Sequence, residues 1–291
     1  MKFATITHNQ ISTVAVVDLE NQSVQPIAQN GKPISDMTWL IENFATAKEQ
    51  WTLGTAIPFS EVVFNAAVPR PRRNVMCVGK NYFEHAHEFT RSGFDSSASS
   101  AADAIPKAPI VFTKMPETVV ATNTKIGYPN GHSEQLDYEA ELGVIIGKSG
   151  LGIKKENAMS HVFGYVIIND LTARDLQAKH KQWFLGKSFD TSCPMGPWIG
   201  TSDELDGASL DVKCWVNDEL RQNANTNDLI FDIPTLIEPL SQGTKLLAGD
   251  IIATGTPVGV GIGFDPPKFL KSGDEVKIEI TGLGTLINVI E

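Results

Sequence analysis

The chain has 291 residues, 42% of them hydrophobic, and a formal net charge of −10. That length can bury a sizeable core as one large domain or one domain with a small appendage, and the acid excess is the opposite of what phosphate binding needs, so no nucleic acid is expected as a partner. Cys77, Cys193 and Cys214 lie far apart without a CxxC spacing, which suggests neither a zinc site nor a disulfide framework. No apolar run approaches the about 20 residues of a membrane helix, and the N-terminus lacks an apolar signal region; a cytoplasmic protein with no membrane partner is expected.

Residues 1–68 hold strand-like pieces such as Thr13-Val14-Ala15-Val16-Val17 and a helix that Ser35 or Asp36 could cap, with Leu40, Ile41 and Phe44 on one side. This reads as a small N-terminal α+β domain. Pro69-Arg70-Pro71-Arg72-Arg73 continues neither a helix nor a central strand, so residues 69–74 are expected to be a solvated linker. In the rest, residues 75–291, strands are predicted at 75–79, 110–112, 142–146, 162–168, 250–254 and 275–280, with short helices between them. Regular alternation of strands with long helices is missing, which argues against a Rossmann or barrel architecture and for a β-rich mixed α+β fold. Residues 92–108, rich in Ser, Ala and Asp, read as a loose loop.

The run Asp137-Tyr138-Glu139-Ala140-Glu141 leads into the apolar residues 142–146. Side chains at i and i+2 of a strand share a face, so Glu139 and Glu141 should point the same way where the chain becomes buried. Two such carboxylates repel, and each costs several kcal/mol to desolvate unless a cation compensates it. A hard divalent metal does this; the other reading is an exposed strand end kept soluble by its charges. Asp170 follows the next apolar strand and is either a third ligand at a strand end or the N-cap of a helix. Three oxygen donors leave about three octahedral positions open, which suits Mg²⁺ or Mn²⁺ and a chelating substrate.

Within Gly79-Lys80-Asn81-Tyr82-Phe83-Glu84-His85-Ala86-His87-Glu88, His85 and Glu88 are i and i+3 neighbours on a helix. The carboxylate can orient the imidazole as a general base, although such pairs also decorate surface helices; His87 should face elsewhere. Gly186-Lys187-Ser188 is not a phosphate loop, because Lys181 stands where that motif needs glycine. Thr254-Gly255-Thr256-Pro257-Val258-Gly259-Val260-Gly261 could cradle an anion with its N–H groups or be a plain tight turn. Cys193 has no histidine partner in sequence and reads as structural.

Taken together and in order, five blocks resemble the fumarylacetoacetate hydrolase superfamily: Val78-Gly79-Lys80-Asn81-Tyr82 with His85 and Glu88, Asp137 to Glu141, Asn169-Asp170 with Thr172-Ala173-Arg174-Asp175, Gly186-Lys187-Ser188-Phe189-Asp190 with Cys193-Pro194, and Thr254 to Gly261. The resemblance implies that family's β-rich catalytic fold, a homodimer, and one Mg²⁺ or Mn²⁺ held by Glu139, Glu141 and Asp170. It also implies a small 2-oxo or 2,4-dioxo acid as substrate, with Lys187 and Gln177 beside it, Thr256 on its carboxylate, and His85 with Glu88 on a segment that closes as a lid. The family's name-giving enzyme carries a further aspartate ahead of the histidine; between Val75 and Phe83 this chain has none, so it looks closer to the shorter members.

The expected activity is metal-dependent hydrolysis of a C–C bond in an acylpyruvate-like acid through a stabilised enolate, because the His85–Glu88 base can activate water. Decarboxylation or enol–keto tautomerisation of oxaloacetate is the alternative, and a non-catalytic 2-oxo acid binding protein is the reading from another class.

Overall fold

In the computed structural model, which describes residues 1–93 and 104–291, β-branched runs assemble into a 14-stranded sheet. Its central order is Ser23–Gln29, Ile11–Asp18, Lys2–His8, Cys193–Thr201, Val162–Asn169, Ala140–Ile146, Ile251–Ala253, Val75–Gly79 and Ile110–Lys114. Neighbours along this path are antiparallel except Ile251–Ala253 with Val75–Gly79. A four-stranded antiparallel sheet, Glu219–Asn225, Asp211–Val216, Glu275–Ile280 and Gly284–Val289, packs on one face.

Both faces of the central strands are covered, which is why they read as continuous apolar runs rather than alternating ones. Leu142, Val144 and Ile146 join a core with Val212, Cys214, Ile278 and Leu286 of the small sheet. Ile145, Val166 and Ile168 point the other way, into a core shared with Phe3, Val14, Leu40 and Ile41. The period-2 alternation therefore places Glu139 and Glu141 on the Ile145 face.

Asp36 caps the predicted N-terminal helix, which runs Met37–Glu42: its carboxylate accepts from Thr38 N (2.8 Å) and Trp39 N (3.3 Å). Phe44 belongs to a second short helix, Phe44–Ala47, and packs edge-on against Phe163. Residues 1–68 share one hydrogen-bonded sheet with the rest, since Phe3 is registered with Ile199. Within the expected linker 69–74, Pro69, Arg70, Arg72 and Asn74 are exposed, yet two of the arginines are paired. Arg73 Nε bonds Asp250 Oδ1 at 2.9 Å, Arg72 Nη2 bonds Glu42 Oε2 at 2.7 Å, and Pro71 is buried. A planar guanidinium matches a carboxylate with two parallel bonds, so a basic run beside acidic partners becomes a staple. Most of the loose loop expected over 92–108, namely 94–103, lies outside the described residues.

Candidate active site

Strand register brings the carboxylates together. Ala140 is paired with Asn169, so the residues on either side of this pair, Glu139 and Asp170, become neighbours across the ladder. The junction is locked: Asp170 N donates to Glu139 O at 2.9 Å, and Glu139 N donates to Asn169 Oδ1 at 3.1 Å. With Glu141 two residues on, the three carboxylates offer oxygens that all lie within 4.8 Å of one another, and all three residues are buried. Asp170 is not a helix cap, because Thr172–Ala173 intervenes and Ala173 occupies the cap position of helix Arg174–His180.

Three cations converge on this cluster. Lys187 Nζ lies 2.7 Å from Glu139 Oε2 and 2.8 Å from Asp170 Oδ2. Lys114 Nζ is 2.8 Å from Asp170 Oδ1 and also donates to the Leu171 and Lys187 carbonyls. Arg174 bridges Asp137 (Nε to Oδ2, 2.9 Å) and Glu139 (Nη2 to Oε1, 2.7 Å). Burial opposes ionisation of Glu139, yet Lys187 and Arg174 overcome it and hold its pKa at about 2. Glu141 is the exception: among the described residues no lysine or arginine pairs with it. Burial, then Asp170 and Glu139, push its carboxyl well above the ordinary range. A buried carboxylate left without a compensating charge beside two others is where a cation is needed. The all-oxygen donor set fits Mg²⁺ or Mn²⁺ rather than zinc.

The glycine-rich turn does cradle anions, but they are the protein's own. Gly255 N donates to Glu141 Oε2 (2.9 Å), Gly259 N to Glu88 Oε1 (3.0 Å), and Gly261 N and Ile262 N to the two oxygens of Asp137 (2.7 and 3.0 Å). Gly186 has a packing reason: a Cβ there would lie 2.6 Å from Gln177 N and 2.8 Å from Ala173 O. Helix Phe184–Lys187 can therefore lie against helix Arg174–His180, which aims Lys187 at the carboxylates.

Glu139 and Glu141 form one wall of a cavity that Lys80, His85, Arg174, Gln177, Lys187 and Thr256 also line, with Val78, Phe89, Phe112 and Trp183 as its apolar side; Asp170 stands behind it, paired with Lys187. His85 is 4% and Glu88 7% exposed, so they do not decorate a surface; His87, on the same helix Phe83–Arg91, is exposed. Nδ1 of His85 is 3.0 Å from Glu88 Oε2. Gln177 Oε1 accepts from Arg174 Nη1 at 3.2 Å, which leaves its amide N–H groups for a ligand. Thr256 Oγ1 accepts from Gln222 Nε2 at 2.8 Å, which leaves its own hydrogen to donate. Glu139, Glu141, His85, Gln177, Lys187 and Thr256 thus line this cavity, and Asp170 and Glu88 each touch a residue that does.

Lys114, Arg174 and Asp137 were not assigned roles from the sequence. Asp137 carries a readable signal, standing two residues before Glu139 in the same alternation. Lys114 ends an edge strand and is fully buried, a placement that sequence spacing does not reveal.

Residues 74–291 match the model of the fumarylacetoacetate (FAA) hydrolase C-terminal family. Among curated proteins, the chain is 53% identical over 232 residues to the oxaloacetate tautomerase YisK of Bacillus subtilis, covering 79% of this chain and 74% of that one. Among solved structures it resembles a fumarylacetoacetate hydrolase from Exiguobacterium antarcticum, with 35% identity, TM-score 0.83, and 100% and 99% of the two chains covered. It also resembles a maleylpyruvate hydrolase from Sphingobium sp. SYK-6 in complex with manganese(II) and pyruvate, with 28% identity, TM-score 0.76, and 100% and 98% covered. The site geometry and these likenesses agree, and the chain is an enzyme of the fumarylacetoacetate hydrolase family.

Proposed function

We propose that the chain is a divalent-metal-dependent keto–enol tautomerase of oxaloacetate-type 2-oxo acids. The observation that carries this reading is the buried triad of Glu139, Glu141 and Asp170, with Lys187 Nζ on two of its members and His85 in the same cavity. The 53% identity to an oxaloacetate tautomerase supports placing tautomerisation ahead of the C–C hydrolysis expected from the sequence.

Glu139, Glu141 and Asp170 would hold Mg²⁺ or Mn²⁺, which when bound supplies Lewis-acid polarisation of the substrate's 2-oxo group. Burial favours the neutral amine of Lys187, but Asp170 and Glu139 outweigh it and keep the ammonium charged. Lys187 therefore compensates negative charge that develops on the 2-oxygen. With Nδ1 held by Glu88, His85 presents Nε2 as the base. It takes a proton from C3, the C–H electron pair becomes the C2–C3 double bond, and the carbonyl π pair moves onto the 2-oxygen. A proton from solvent completes the enol, and His85 returns its own to solvent. Gln177 and Thr256 bind the substrate carboxylate through the donors that their internal bonds leave available. In this reading residues 75–291 supply every reacting group, and residues 1–68 buttress the sheet behind them.

The second reading, C–C hydrolysis of an acylpyruvate, is supported by the same His85–Glu88 pair, which can activate water, and by the likeness to a maleylpyruvate hydrolase. A stopped-flow assay of enol absorbance on fresh oxaloacetate and on acetylpyruvate, with pyruvate release measured in parallel, separates the two. Enol–keto relaxation of oxaloacetate without pyruvate is the expected result. Pyruvate from oxaloacetate means decarboxylation, and pyruvate from acetylpyruvate means hydrolysis; either product as the faster reaction overturns the assignment. A homodimer belongs to the same proposal and is supported by exposed Val111, Met115, Phe184 and Leu185 at the sheet edge. Light scattering at the 31.6 kDa monomer mass would overturn it.

A further inference from the structure

The 255–263 segment supports more than the metal carboxylates. Its Gly259 N–H donates to Glu88 Oε1 at 3.0 Å, while the other Glu88 oxygen lies 3.0 Å from His85 Nδ1. The Glu88 carboxylate is thereby fixed at both ends, between the histidine on its own helix and the backbone of a remote loop. The space it occupies exists because position 263 has no side chain. A Cβ on Gly263 would stand 2.0 Å from Glu88 Oε1, 2.2 Å from Cδ and 2.5 Å from Cγ.

Gly263 ends the short 3₁₀ turn Gly261–Gly263, and its backbone is not in the left-handed region. Alanine is therefore compatible with the local chain path. What alanine does not permit is the present place of the Glu88 side chain, whose flexible end is the part able to move. It would have to leave the Gly259 N–H, and with it the line to His85 Nδ1.

We propose that Gly263 is a positioning residue for the base: the vacancy of a side chain there seats the Glu88 carboxylate between Gly259 N–H and His85 Nδ1. One backbone segment then aligns both halves of the site. Gly255 holds Glu141, Gly261 and Ile262 hold Asp137 and through it Arg174 and Glu139, and Gly259 with Gly263 holds Glu88 and through it His85. The inference rests on the reading of His85 as the base in the proposed reaction.

The test is Gly263→Ala in the full chain, loaded with Mn²⁺, beside Glu88→Ala and the double variant. Gly263→Ala should lower kcat by about 10²-fold, the scale of a misplaced reacting group, with KM, Mn²⁺ affinity and oxalate affinity unchanged. Amide exchange at Gly259 should accelerate in Gly263→Ala and in Glu88→Ala, with or without metal, since both remove the same acceptor. In the double variant the added methyl meets no carboxylate, so it should match Glu88→Ala in kcat and in exchange. Wild-type kcat with wild-type protection of Gly259 in Gly263→Ala would overturn the proposal, as would a double variant much worse than Glu88→Ala. If Gly263→Ala does not fold, the double variant, free of the overlap, still decides. Should the wild type fail to interconvert oxaloacetate tautomers, the functional reading falls, while the exchange at Gly259 independently decides the positioning.

Discussion

Glu141 stands on one strand of a large sheet, with Glu139 just before that strand and Asp170 just after its neighbour, whereas His85 and Glu88 ride on the nine-residue helix Phe83–Arg91. The carboxylates are held by ladder register, by Lys114, Arg174 and Lys187, and, at Glu141, by the Gly255 N–H. On the cavity side of the helix, Glu88 accepts from the Gly259 N–H, and Phe89 packs on Trp183 and beneath the Arg174 guanidinium. A metal site needs its ligands fixed before the ion arrives, because like charges at close range will otherwise spread apart. The His85 imidazole is aimed instead through a single side chain, Glu88, whose carboxylate is held between His85 Nδ1 and the Gly259 N–H.

Breaking the first region should have the larger effect. Glu141→Gln removes the carboxylate that no lysine or arginine pairs with among the described residues, and Mn²⁺ binding by calorimetry should disappear together with turnover, to the level of chelator-treated wild type. Retention of both would return the carboxylate pair to a structural role. Breaking the second region leaves the first intact: His85→Ala should lower kcat by about 10²- to 10⁴-fold with unchanged Mn²⁺ affinity. A parallel loss of metal would mean that the two regions are one.

The smallest effect sharpens the comparison from behind the ligands. Each Asp137 oxygen accepts from N–H donors, namely Tyr138, Gly261, Ile262 and Arg174. Asparagine would set an NH₂ against some of them. Asp137→Asn should weaken Mn²⁺ binding about 10- to 100-fold through the loosened Arg174 and Glu139, measured by the same calorimetry. It should leave His85 able to turn over substrate at saturating metal; unchanged affinity would show that Glu139 does not depend on this support.

The face shared by Glu139 and Glu141 was legible because strand alternation is local: two carboxylates two residues apart need no knowledge of the rest of the chain to point together. The His85–Glu88 pair was legible for the same reason on a helix, and Asp36 as a cap needed only the three residues after it. Asp170 was ambiguous between ligand and cap, since the choice depends on which strand lies beside it. The Arg73 staple to Asp250 was not legible, because its partner is 177 residues away.

The sequence by itself determined the β-rich α+β class, the carboxylate pair, the His85–Glu88 pair and the family, because these depend on short-range periodicity and on motif order along the chain. Tertiary structure alone decided that Lys114 lies under Asp170, that Arg174 joins Asp137 to Glu139, and that a glycine-rich turn spends its N–H groups on three internal carboxylates. The physical reason is that charge compensation in a buried site is set by distance through space. Lys114 and Asp170 are 2.8 Å apart across the fold, and nothing in their separation along the chain encodes that contact.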